Sequence, residues 1–174
     1  FAIVSAASYL NNKRTSNNDS YHDVGGQAIK NDRVASHLKY TDLSDPAISA
    51  SFENSLALIS FINSELDNKG IKFGVVILPS KELVLQEWAE ASNIPLPDEY
   101  RIDNEDALIT AYVEYFSSTG ISYIDATPFV LEAFQADTQS GRIFYPRGDG
   151  HPFFNGYQSY ARAAAALAGK ISPQ

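Results

Sequence analysis

Residues 71–80 read Ile71-Lys72-Phe73-Gly74-Val75-Val76-Ile77-Leu78-Pro79-Ser80. A near-continuous apolar run of this length suits a strand covered on both faces, as strands of parallel sheets are. Pro79 has no N–H to give a ladder and ends the run. Ser80 offers its hydroxyl as the N-cap of a helix through about Ala91. A strand leading directly into a helix is the repeating unit of an α/β fold.

The same alternation extends on either side. Upstream, Phe52, Leu56, Ile59, Ile62 and Leu66 recur at helical spacing on one face, and Gly70 stands where a left-handed C-terminal cap is wanted. Downstream, Pro95 and Pro97 mark a loop, and Asp103 or Asn104 caps a helix that stops at Gly120. Ile121 to Asp125 forms a short strand, and Pro128 suits the first turn of a helix through Ala136. A polar loop over 137–152 leads to an alanine-rich helix from about Phe154 to Ala168. Phe1-Ala2-Ile3-Val4 reads as a third strand, cut at its front end. The pattern predicts one α/β domain over residues 1–174, a flavodoxin-like three-layer α/β/α arrangement around a short parallel sheet. Three strands are few against the usual about five or six, so the sheet is expected to be incomplete, with its front portion ahead of Phe1. Residues 11–50, rich in Asn, Ser, Asp and Gly with turn signals at Gly25-Gly26 and Asp45-Pro46, are expected to form a long irregular insertion, with a short helix around Arg33 to Leu38.

Composition removes several function classes. Of the chain's 13 basic and 21 acidic side chains, residues 11–50 take five of each, which leaves eight and 16 for residues 51–174 and a net charge of -8 overall. An acidic body repels phosphate backbones, so no nucleic-acid partner is expected. There is no cysteine, which excludes disulfides, thiolate metal sites and a cysteine nucleophile. Paired histidines at ligand spacing and a glycine-rich phosphate loop are missing too, so neither a metal nor another cofactor is expected. No apolar run reaches the roughly 20 residues that cross a bilayer, and no signal-peptide pattern is present.

Chemistry concentrates at one point. His22 and His37 lie in the polar stretch without partner spacing and read as surface or loop histidines. His151 sits in Gly148-Asp149-Gly150-His151-Pro152-Phe153-Phe154-Asn155-Gly156-Tyr157, just before the last helix. An aspartate two residues before a histidine, in a turn restricted by Gly150 and Pro152, can orient the imidazole for a nucleophilic serine. A turn with an Asp cap and an incidental histidine is the competing interpretation.

Asp149-Gly150-His151-Pro152-x-x-Asn155-Gly156-Tyr157, followed by the alanine-rich helix, resembles the last block of the SGNH (GDSL-type) hydrolase superfamily. The Val75 to Glu82 segment, Gly120 to Pro128 and the lead-in Ile143-Phe144-Tyr145-Pro146 are similar to bacterial members, and the likeness spans roughly residues 52–170. Many members place the aspartate three residues before the histidine; here the spacing is two, as in some branches. The resemblance implies a serine-dependent esterase or O-acyltransferase acting on a small-molecule ester or an acylated glycan or lipid. In it His151 is the general base, Asp149 orients it, and Asn11 contributes to an oxyanion hole, with Asn17-Asn18-Asp19 as the alternative. It also implies an extracytoplasmic location. The family's Gly-Asp-Ser triplet does not occur in the chain. Ser5 and Ser8 follow the first apolar run, and Ser80 stands at a strand-to-helix junction but reads as an N-cap. The nucleophile is therefore expected outside these residues. It is placed either before Phe1 or, as in a branch resembling alginate acetyltransferases, after Gln174, and the cut-off first strand favours the former. The alternative is a non-catalytic SGNH-like binding or structural subunit with a protein partner.

Overall fold

The Val75–Ile77 run becomes the centre of the molecule because its neighbours alternate between two apolar clusters. In the computed structural model, which describes residues 21–146 and 149–172, the elements run β1 (Tyr21–Val24), β2 (Gln27–Lys30), α1 (Asn31–Tyr40), α2 (Pro46–Asp67), β3 (Gly74–Ile77), α3 (Lys81–Ala91), a 3-10 turn at Asp98–Tyr100, α4 (Asp103–Thr119), β4 (Ser122–Asp125), α5 (Thr127–Gln139) and α6 (Phe154–Ile171). β3 and β4 pair in parallel, Gly74 opposite Ser122 through Ile77 opposite Asp125. The ladder continues one step further where Ala126 N–H donates to Ile77 O at 2.9 Å.

Side chains alternate across a strand, and the packing follows that period. Val75 and Ile77 join Leu56, Ile59, Phe116 and Ile121, under α2 and α4. Val76 and Ile124 join Leu83, Leu85, Trp88, Val130, Phe134 and Leu167, under α3, α5 and α6. Gly74 allows the close approach of α6, since a Cβ there would lie 3.0 Å from Leu167 Cδ2. The chain is thus a mixed α/β molecule, mostly helical, with helices against a two-stranded parallel sheet.

Several element ends follow the sequence signals, but α4 begins at Asp103 after Ile102 with no side-chain cap, and α2 ends at Asp67 with Asn68 as its C-cap, ahead of Gly70. Ser80 caps α3, its Oγ accepting from Leu83 N–H at 3.0 Å. Asp45 caps α2 by accepting from Ala47 N–H at 2.8 Å, with Pro46 opening the helix. Gly120, at φ 71°, closes α4 in the left-handed conformation. The Phe1–Val4 strand, and residues 11–20 of the expected insertion, lie outside the described residues.

In the rest of that insertion the expected helix around Arg33 to Leu38 is present within α1, but the text around it is not irregular. Residues 21–50 are ordered: β1 and β2 form an antiparallel hairpin, α1 follows without a break, and α2 begins at Pro46. The polar text hid this because few of its side chains face inward. Val24, Ile29 and Val34 are each 1% exposed and enter the same core as Trp88. Gly25 and Gly26, at φ 56° and 85°, make the tight two-residue turn that such hairpins require.

α1 is then locked to the sheet end by a buried carboxylate. Glu105 on α4 accepts from Ser80 N–H at 2.8 Å, from Ser80 Oγ at 2.5 Å and from His37 Nε2 at 2.6 Å. Asn104 Nδ2 adds a bond to Leu38 O at 3.1 Å. Burial pulls the His37 imidazole down, but its hydrogen bond to Glu105 and the negative charges of Glu105 and Glu82 outweigh this, and the net effect is a raised pKa.

Two outcomes are expected. Alanine at Gly25 must hold a positive φ and place its Cβ 2.3 Å from Trp88 Cη2; a urea denaturation curve should show about 1–3 kcal/mol of destabilisation. The His37–Glu105 contribution is complete below histidine's ordinary value of 6.5 and is lost as pH rises through the raised value. Stability measured across that window should fall with pH, and His37→Gln should remove this part of the slope.

Candidate active site at the Asp149–His151 turn

The loop between α5 and α6 carries the pair singled out in the sequence. His151 Nδ1 and Asp149 Oδ1 are 2.8 Å apart, and the same oxygen accepts the His151 backbone N–H at 3.0 Å. An ionised carboxylate has only acceptors, so Nδ1 is the donor and carries a hydrogen. That leaves Nε2 as the nitrogen able to take a proton when the ring is neutral. The His151 side chain is 77% exposed and that of Asp149 50%. Among the described residues, Asp149 is the one side chain that hydrogen-bonds the ring.

Neither side chain is held by burial, so the geometry rests on the backbone around it. Phe144 and Tyr145, 0% and 2% exposed, anchor the start of the loop in the core beside Phe134. Asp149 N–H donates to Pro146 O at 3.3 Å, and Phe153 N–H to Phe144 O at 2.8 Å, drawing the two ends of the loop together. Pro152 is buried and packs on Gly156, where a Cβ would fall 2.2 Å from Pro152 Cβ and 3.0 Å from Phe144 Cζ. Asn155 Nδ2 donates to the buried Asp137 Oδ1 at 2.7 Å, and Arg142 Nε donates to that oxygen at the same distance. Asn155 therefore fixes α6 to the end of α5 and does not face the dyad's chemistry.

Burial also shapes the groups behind the turn. The Tyr145 phenol is pushed well above its ordinary value, by burial first and then by the charges of Tyr160, Glu82 and Glu105. Tyr160 is pushed up to about 12 by its own burial and by Tyr157. Next after the dyad in the chain, Phe153, Phe154 and Tyr157 are 51%, 71% and 53% exposed, exposed apolar side chains of a kind that can mark contact surfaces. A concavity of about 330 Å³ beside β4 and Lys170 is lined by neither Asp149 nor His151.

The other expected site residues fare differently. Asn11, and Asn17-Asn18-Asp19 with it, lie outside the described residues, as do Ser5 and Ser8. Ser80 is an N-cap with its hydroxyl committed to Glu105 and Leu83. His37, expected as a surface or loop histidine, is instead a helical residue, 22% exposed at its side chain and paired with Glu105. Their separation of 68 residues left no local signal in the sequence. Lys81, buried behind the turn at 4% exposure, also escaped notice. Among the described residues, no group of three His, Cys, Asp or Glu side chains is placed to hold a metal, and no helix is long and apolar enough to cross a membrane.

Comparison with family models, with curated proteins and with solved structures finds no match to this chain.

Gly156→Ala should therefore act on the turn as well as on the helix. Displacing Pro152 is expected to cost about 1–3 kcal/mol in a thermal or urea melt. It should also broaden or shift the His151 ring resonances in an NMR spectrum.

Proposed function

We propose that Asp149 and His151 are the acid–base half of a serine-dependent ester-processing site, an esterase or O-acyltransferase of SGNH type. The observation that carries this is the 2.8 Å Nδ1–Oδ1 contact on a His151 side chain that is 77% exposed. Asp149 holds the tautomer, and Nε2 takes the proton from an attacking serine hydroxyl and returns it to the leaving oxygen. The serine lies outside the described residues, and Asn11 contributes to the oxyanion hole. The substrate is an acyl ester of a carbohydrate or lipid, whose apolar portion has a surface to meet at Phe153, Phe154 and Tyr157. The parallel β3–β4 pair, with apolar clusters on its two faces, fits the three-layer α/β/α arrangement of that superfamily. The turn also lies near the carboxyl end of β3, since Lys81 at the start of α3 reaches it; open α/β sheets place their sites at such strand ends.

One observation favours a second reading. Among the described residues no serine hydroxyl hydrogen-bonds the His151 ring, as a non-catalytic SGNH-like module would have it. Labelling with a serine-directed fluorophosphonate, alongside hydrolysis of an activated acetyl ester, separates the two. For the enzyme, His151→Ala should lower hydrolysis by about 10²–10⁴-fold and slow labelling in parallel. Labelling unchanged in His151→Ala would remove the histidine's assigned role, and a wild-type protein that neither labels nor hydrolyses is the binding module.

A further inference from the structure

Lys81 is an unexpected residue where it stands. It opens α3, where the helix dipole disfavours a cation, and it is 4% exposed, where lysine is seldom found without compensation. The loop that carries Asp149 supplies part of the compensation. Lys81 Nζ donates to Pro146 O at 3.3 Å and to Asp149 O at 3.4 Å, and it lies 5.5 Å from the centre of the Tyr145 ring. The two carbonyls bracket the turn, and Pro146 O also closes it by accepting Asp149 N–H. A buried ammonium thus ties the Pro146 and Asp149 carbonyls to the N-terminus of α3, shortly after β3. The dyad side chains are exposed, and burial does not hold them.

We infer that Lys81 is a positioning residue for the dyad: by holding the Pro146 and Asp149 carbonyls it sets the direction of the Asp149 carboxylate, and so decides which nitrogen of His151 carries the hydrogen. This rests on the role given to His151 above, but the tautomer is read without any ester turnover, so the two stand or fall separately. Nothing is transferred to or from Lys81. Through these contacts it acts on backbone oxygens, at a remove from the reacting atoms.

The test is the ¹⁵N spectrum of the His151 ring, recorded on the folded protein at a pH where the imidazole is neutral. In the wild type the Nδ1–H tautomer should be the majority form. Lys81→Met removes the charge while keeping the length and apolar stem, and should turn the majority to Nε2–H, the form free of Asp149. Lys81→Arg keeps a cationic donor at the position and should restore the Nδ1–H majority. If the methionine variant does not fold, Lys81→Gln replaces it, with loss of the Nδ1–H majority again expected. A ring tautomer unchanged from wild type in a folded Met or Gln variant overturns the inference, because a lysine that merely supports the fold leaves His151 as it was.

Discussion

The Glu105 carboxylate is the constraint on which the rest of the arrangement hangs. It is buried, and a buried carboxylate is tolerated when its oxygens are bonded. Its partners come from distant parts of the chain: the Ser80 amide and hydroxyl at the end of the β3 segment, and the His37 ring from α1. Satisfying one group therefore fixes two elements at once, with α4 as the third. The hairpin and α1 are short and contribute few core side chains. Without this polar contact and the burial of Val24, Ile29 and Val34 there would be little to hold them.

Behind the dyad turn the same economy recurs with the opposite charge. Lys81 follows Ser80 directly, so the residue that engages the Glu105 clasp and the residue that ties the 146–149 turn are neighbours at one strand-to-helix junction. One side of the junction meets a carboxylate, and the other meets carbonyls and the Tyr145 ring. Both contacts are polar and buried, in a region of low dielectric where such bonds are strong when made and costly when broken. Rigidity at this point matters because the dyad is exposed: its geometry must be delivered through the backbone.

The exposure of the dyad also bears on what it can do. A pair lying on the open surface has little of the water exclusion that strengthens catalytic electrostatics. A molecule bound over His151 would supply that cover. The exposed Phe153, Phe154 and Tyr157 lie next to the ring in the chain and favour contact with an apolar group there.

Local signals in the sequence settled the local structure. The apolar run at Val75–Ile77, the cap at Ser80, the stop at Gly120 and the Asp149-x-His151 turn are each decided within a few residues, by ladder chemistry, capping and turn geometry. The 2.8 Å dyad contact belongs with them, since a spacing of two in a restricted turn brings the side chains together. What sequence could not show was set by distance along the chain. The Gly25-Gly26 hairpin turned polar text into structure because Trp88 was waiting beneath it, and His37 found Glu105 across 68 residues. Lys81 became a buried cation because the Pro146 and Asp149 carbonyls came to lie against it. Pattern and capping act on neighbours; the pairing of buried charges depends on which elements the core brings side by side, and only the tertiary structure decided that.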